Sequence, residues 1–118
     1  MSEAATAWQP VAALADLPDE GLHEVAVGRH LLLLVRREGE VLAVQGLCPH
    51  QFAPLVEGVL DAGGWLHCPR HRACFRLSDG ACGPGWVLPP LKRYAVRLED
   101  GMVLLPDPLL PDPLVPLS

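Results

Sequence analysis

Along this chain apolar residues come in short bursts bounded by turn formers, without the recurrence of every third or fourth residue that marks an amphipathic helix. Such bursts predict strands. Leu22–Val27 begins the series, and Leu31–Arg36 with Val41–Gln45 makes a hairpin across Arg37-Glu38-Gly39-Glu40, where the glycine takes the positive φ of a tight turn. Trp65–His67 and Ala73–Leu77 are the next strands, the second ending at the turn Ser78-Asp79-Gly80. Tyr94–Leu98 and Met102–Leu105 pair across Glu99-Asp100-Gly101, and Ala12–Asp16 has room for a helical turn at most. The expected fold is all-β: a small antiparallel sandwich or barrel, with a subdomain of two hairpin loops inserted at about residues 46–86.

At 118 residues the chain is one domain's worth, spanning residues 1–105, followed by a proline-rich tail at 106–118. That tail holds five of the thirteen prolines and repeats almost in tandem, Leu105-Pro-Asp-Pro-Leu109 then Leu110-Pro-Asp-Pro-Leu114, which favours polyproline II over a strand. Its leucines either strap it onto the barrel or leave it dangling. The longest unbroken apolar runs, such as Leu31–Val35, fall far short of the ~20 residues of a membrane span. Met1-Ser-Glu-Ala-Ala lacks the basic start of a secretion signal. A soluble, cytoplasmic protein with no membrane partner is expected. A formal charge of −5, from nine Lys and Arg against fourteen Asp and Glu, offers no footprint for nucleic acid. Arg70, Arg72 and Arg76 nevertheless crowd one short stretch, a local basic collar suited to steering a partner.

That collar surrounds the residues with the most chemistry. Cys48-Pro49-His50 and Cys68-Pro69-Arg70-His71 place one thiol and one imidazole on each of two loops, seventeen residues apart. The donors suit a metal. Zinc takes the same ligand types, but zinc modules usually pair like with like, and a one-residue gap is tight for chelating one ion. Mixed arms fit a binuclear cluster better, with the two Cys on one iron and the two His on the other. Pro49 and Pro69, directly after the two Cys, fix φ and stiffen each loop before any metal arrives.

The stretches CPHQFAPLVEG and GGWLHCPRHRACFRLSDG closely resemble the Rieske ferredoxins, small electron carriers that feed ring-hydroxylating dioxygenases and related oxygenases, and the resemblance covers roughly residues 40–105. It implies one Rieske-type 2Fe-2S cluster per chain, held by Cys48, His50, Cys68 and His71, with no catalytic residue in the chain itself. It implies transient docking, at the cluster end, with a flavin-dependent reductase and a terminal oxygenase. A small Rieske subunit of another oxidoreductase, such as a nitrite reductase, is the alternative within electron transfer. A zinc-stabilised binding module is the alternative outside it.

Neutral imidazoles leave an oxidised cluster near zero charge, so an electron is added more easily than to a four-thiolate cluster, within a span of roughly −150 to +300 mV. High-potential members of the resembled family carry a loop-clamping cysteine pair where Ala53 and Arg70 stand here, and Ser and Tyr hydroxyls where this chain has Ala73 and Phe75. These departures imply the low end of the range. Arg72 stands where the family usually has glycine, and Gly83-Pro84-Gly85 resembles its third, cluster-covering loop. Cys74 and Cys82 are expected as buried thiols, although a disulfide across the Ser78 turn is open to them. His23, His30 and His67 are not expected to be ligands.

Overall fold

A computed structural model describes residues 7–49, 52–69, 73–83 and 88–109. Its strands are β1 (Ala7–Ala13), β2 (Gly21–Val27), β3 (His30–Arg37), β4 (Glu40–Gln45), β5 (Val59–Leu60), β6 (Trp65–His67), β7 (Cys74–Arg76), β8 (Arg93–Tyr94), β9 (Arg97–Glu99) and β10 (Met102–Asp107). They form three sheets, ordered β1-β10-β9, β2-β3-β4-β8 and β5-β6-β7, with every pairing antiparallel.

The four-stranded sheet lies between two cores, and the alternation of side chains along β3 and β4 shows why. Leu33, Val35 and Val44 pack with Leu66, Phe75 and the other buried residues of the β5-β6-β7 lobe. Leu32, Leu34, Val41 and Ala43 point the other way, to Val103 and Leu105 of β10. Successive residues of a strand face opposite sides. A strand covered on both faces is therefore apolar without alternation, which accounts for the run Leu31–Val35.

The hairpin turns follow local chemistry. Glu38 and Gly39 have φ of 53° and 81°, and Asp100 and Gly101 have 52° and 78°. Two consecutive left-handed residues make the type I′ turn that matches strand twist. The predicted β2, β3, β4, β6 and β7 are all present, within a residue or two of their expected bounds.

Three features differ from expectation. The series begins with β1, not at Leu22; β1 is an edge strand whose register shifts between Pro10 and Ala12, and an edge tolerates the missing N–H of Pro10. The predicted strand Tyr94–Leu98 is split, because Arg93–Tyr94 pairs with β4 whereas Arg97–Glu99 crosses over to pair with β10. The tail does not start as polyproline II at residue 106: β10 runs through Asp107, with Pro106 opposite Trp8. There β9 no longer flanks β10, so the lost N–H leaves no partner unsatisfied. Leu109 packs against the second core, which straps the first of the two repeats down. The second repeat lies outside the described residues.

Candidate metal centre

The two Cys-bearing loops are built alike. In the first, the Cys48 N–H donates to the Ala53 carbonyl at 2.9 Å, and Leu47 bridges to Pro54 just outside it. In the second, the Cys68 N–H donates to the Ala73 carbonyl at 2.7 Å, and His67 pairs with Cys74 just outside it. Each loop thus opens on a Cys and closes on an Ala five positions later. Cys48, Cys68, Ala53 and Ala73 are all buried in one core with Phe75, Leu55 and Leu66. His50, Arg70, His71 and Arg72 lie outside the described residues, as do Pro84 and Gly85. Among the described residues no three potential ligands meet, since only Cys48 and Cys68 of the predicted four are described.

This donor set fits an iron–sulfur cluster. Two thiols from equivalent loops converge on one apolar core, and a thiolate buried in such surroundings is favoured when a metal neutralises it. The residues lining that core beside the Cys bring no hydroxyl: Ala53, Ala73 and Phe75 are all under 3% exposed. Hydrogen-bond donors to the sulfurs would stabilise the more negative reduced state, and these three side chains supply none.

Close backbone contacts hold the lobe together. The Gly83 N–H donates to the Cys74 carbonyl at 2.7 Å, and a methyl group at Gly83 would press on the Cys74 sulfur. Cys74 is a half-buried thiol rather than a buried one, and forms no disulfide. At the end of the lobe away from the Cys loops, two guanidiniums tie it to the central sheet: Arg37 of β3 donates to the Ala62 carbonyl at 2.6 Å, and Arg93 of β8 to the Ser78 carbonyl at 2.7 Å.

Asp61 is a residue that the sequence reading missed. One carboxylate oxygen accepts the N–H groups of Gly63 and Trp65, at 2.8 and 3.0 Å, and the other accepts from His67 Nε2 at 2.8 Å. These bonds, led by that from His67, hold its carboxyl below the usual range. The turn sequence Asp61-Ala-Gly-Gly was the available signal, since Asp caps its own turn in this way. His67 is thereby turned onto the outer face, beside a groove of about 470 Å³ lined by Glu57, Val59, Asp61 and Pro69. His23 and His30 lie on β2 and β3, as expected of strand residues.

Of the three arginines of the basic collar, Arg76 is among the described residues. Arg76 donates Nε and Nη2 to the two oxygens of Asp79, at 3.0 and 2.6 Å, and lies 5.8 Å from the Trp65 ring centre. It is already engaged. Arg76, with the Ala81 N–H, pulls the Asp79 carboxyl down to about 2. A depressed carboxylate stabilises the fold above its unfolded pKa, and that contribution fades as pH falls through the folded one. The unfolding free energy from urea denaturation should therefore drop between about pH 4 and 2, by under about 1 kcal/mol after screening of a half-exposed pair. Asp79→Asn should flatten that limb; an unchanged acid limb would remove this pair from the account.

Comparison with known proteins agrees with this geometry. The Rieske [2Fe-2S] domain profile matches residues 7–95. The ferredoxin component of the alkene monooxygenase system of Xanthobacter autotrophicus is 38% identical over 96 residues, which are 80% of this chain and 77% of that one. Apoptosis-inducing factor 3 of Mus musculus is 39% identical over 90 residues, 76% of this chain but only 15% of that protein's length. Among solved structures, the Sphingomonas yanoikuyae B1 ferredoxin superposes with a TM-score of 0.78 at 29% identity, covering 85% of this chain and 98% of its own.

Proposed function

Because the chain belongs to the Rieske 2Fe-2S domain family, we propose that it is a low-potential ferredoxin, carrying single electrons from a flavin-dependent reductase to a terminal oxygenase. The observation that carries this reading is the matched pair of loops, each delivering a buried Cys to one core. Cys48 and Cys68 would hold the inner iron, and His50 and His71 the outer one. The cluster, when bound, supplies one-electron storage. The chain's own work is to keep water and hydroxyls from the two sulfur ligands, through Ala53, Ala73 and Phe75, and to present the loops at one end of the molecule.

The ferredoxin components of oxygenase systems that this chain resembles over most of their length support the partner class. The chain is itself a carrier with no substrate chemistry. No helix among the described residues is long and apolar enough to cross a membrane. Cys74, a thiol in contact with the surface, suits a reducing cytoplasm.

Iron and sulfide analysis, with the visible spectrum, tests the cofactor. Purified protein should be reddish-brown, with two iron and two sulfide per chain expected for a Rieske centre. A colourless zinc protein would sink the proposal. His71→Cys should keep some cluster and lower its potential, since a neutral ligand becomes an anion; a cluster retained at the original potential would show that His71 is not a ligand.

A further inference from the structure

Phe52 combines two features that each disfavour a phenylalanine. Its φ of 57° is in the left-handed region, which glycine occupies freely and bulky side chains avoid. The residue is 70% exposed to solvent. The loop does not require either. The Phe52 N–H donates to the Cys48 carbonyl at 2.7 Å, a bond that glycine makes equally well, and the ring joins neither core. Glycine here would relieve the backbone and remove the exposed apolar surface together.

Backbone strain and apolar exposure at one residue point to binding. Resting on the electron-carrier reading, we propose that Phe52 is the anchor by which the first Cys loop docks on the electron-accepting protein, its ring filling an apolar pocket there. The ring overlooks a groove of about 210 Å³ lined by Leu31, Leu47 and Tyr94, with His30 and Lys92 among the polar neighbours. An acceptor is favoured over a second copy of this chain by position. Phe52 is four residues from Cys48, on the loop an electron must leave by, and a second copy seated there would cover that route. The scale agrees as well. One ring beside a small groove is a fraction of the about 800 Å² that each partner buries in a stable complex, and a carrier has to let go.

Phe52→Asn tests this, because asparagine tolerates the left-handed backbone and lacks the ring. Phe52→Tyr is the conservative partner. The reduced proteins would be mixed in a stopped-flow instrument with purified oxygenase components of three systems whose ferredoxins this chain is similar to, alkene monooxygenase, naphthalene 1,2-dioxygenase and carbazole 1,9a-dioxygenase, and with ferricyanide as a small oxidant. Against whichever oxygenase the wild type reduces, Phe52→Asn should lower the second-order rate on the order of ten-fold or more, the effect of losing a hot-spot aromatic. The limiting rate at saturation, the rate with ferricyanide and the cluster spectrum should not change, and Phe52→Tyr should restore docking. Equal second-order rates for wild type and Phe52→Asn would overturn the anchor while leaving the carrier intact. A wild type that reduces none of the three would overturn the carrier reading, and the anchor with it. A wild type that sediments as a dimer and a Phe52→Asn that sediments as a monomer would assign the ring to self-association instead.

Discussion

Phe75→Ala is expected to cost about 3–5 kcal/mol, the range for emptying a buried aromatic site. Phe75 has no exposed surface, and its strand partner Leu66 is equally buried. It packs in one core with Cys48 and Cys68, and with Leu33 and Val35 of the central sheet. Removing the ring leaves a void where the lobe meets that sheet. Small domains have only about 5–15 kcal/mol to lose, so this single change should consume a large share of the total. Urea denaturation of the iron-loaded protein measures it, and iron content after purification should fall in parallel as the walls around the two Cys loosen. A loss below about 1 kcal/mol would mean that the core collapses around the gap, and that Phe75 does not set the spacing of the loops.

Gly58→Ala is expected to be nearly as damaging, for a different reason. Its φ of −85° suits any residue, so backbone strain does not enter. An added methyl, however, would overlap the His67 carbonyl oxygen, and that oxygen belongs to the residue preceding Cys68. β5 and β6 would have to separate just where the second Cys loop leaves the sheet. The expected destabilisation is at or above the top of the ~1–3 kcal/mol range for overpacking, because the obstacle is backbone and cannot rotate away. Gly39→Ala is the control: its φ of 81° brings strain, but an added methyl meets nothing within 4 Å. It should cost about 1 kcal/mol and leave iron content unchanged. If Gly58→Ala purifies with full iron and an unshifted urea midpoint, the close approach of β5 and β6 is not what fixes the second loop.

Much of this architecture was legible in the sequence because hairpins announce themselves locally. Glu38-Gly39 and Asp100-Gly101 dictate their turns, and the strands flanking the first of them follow from adjacent apolar runs. The pairing of β1 with β10 was not legible, since it joins opposite ends of the chain and β1 is interrupted by Pro10. Nor was the crossing at Ala95 and Val96, where one apolar run serves two sheets. Pro106 misled for a related reason: proline excludes a strand only where its N–H is needed, and that depends on a neighbour the sequence does not show. At the site, spacing and family resemblance suggest four ligands, and the structure brings two of those residues, Cys48 and Cys68, to one core. The matching Cys-to-Ala closures were present in the sequence as two equal intervals, Cys48 to Ala53 and Cys68 to Ala73, and carry meaning only once their hydrogen bonds are seen. Phe52 gave no signal, because a backbone angle has no letter.

The double burial of β3 bears on how the chain is made. Leu31–Val35 is uncharged, free of proline and wholly apolar, the kind of segment that seeds aggregates when exposed. In the finished protein it is shielded in every direction, by β2 and β4 along its edges and by a core on each face. One of those cores is completed by β10 and the other by the Cys-bearing lobe, both of which leave the ribosome after β3 does. The nascent chain therefore displays its stickiest segment until late in synthesis. Cells that outpace iron delivery or chaperone capacity should collect this protein as inclusion bodies rather than as soluble apoprotein.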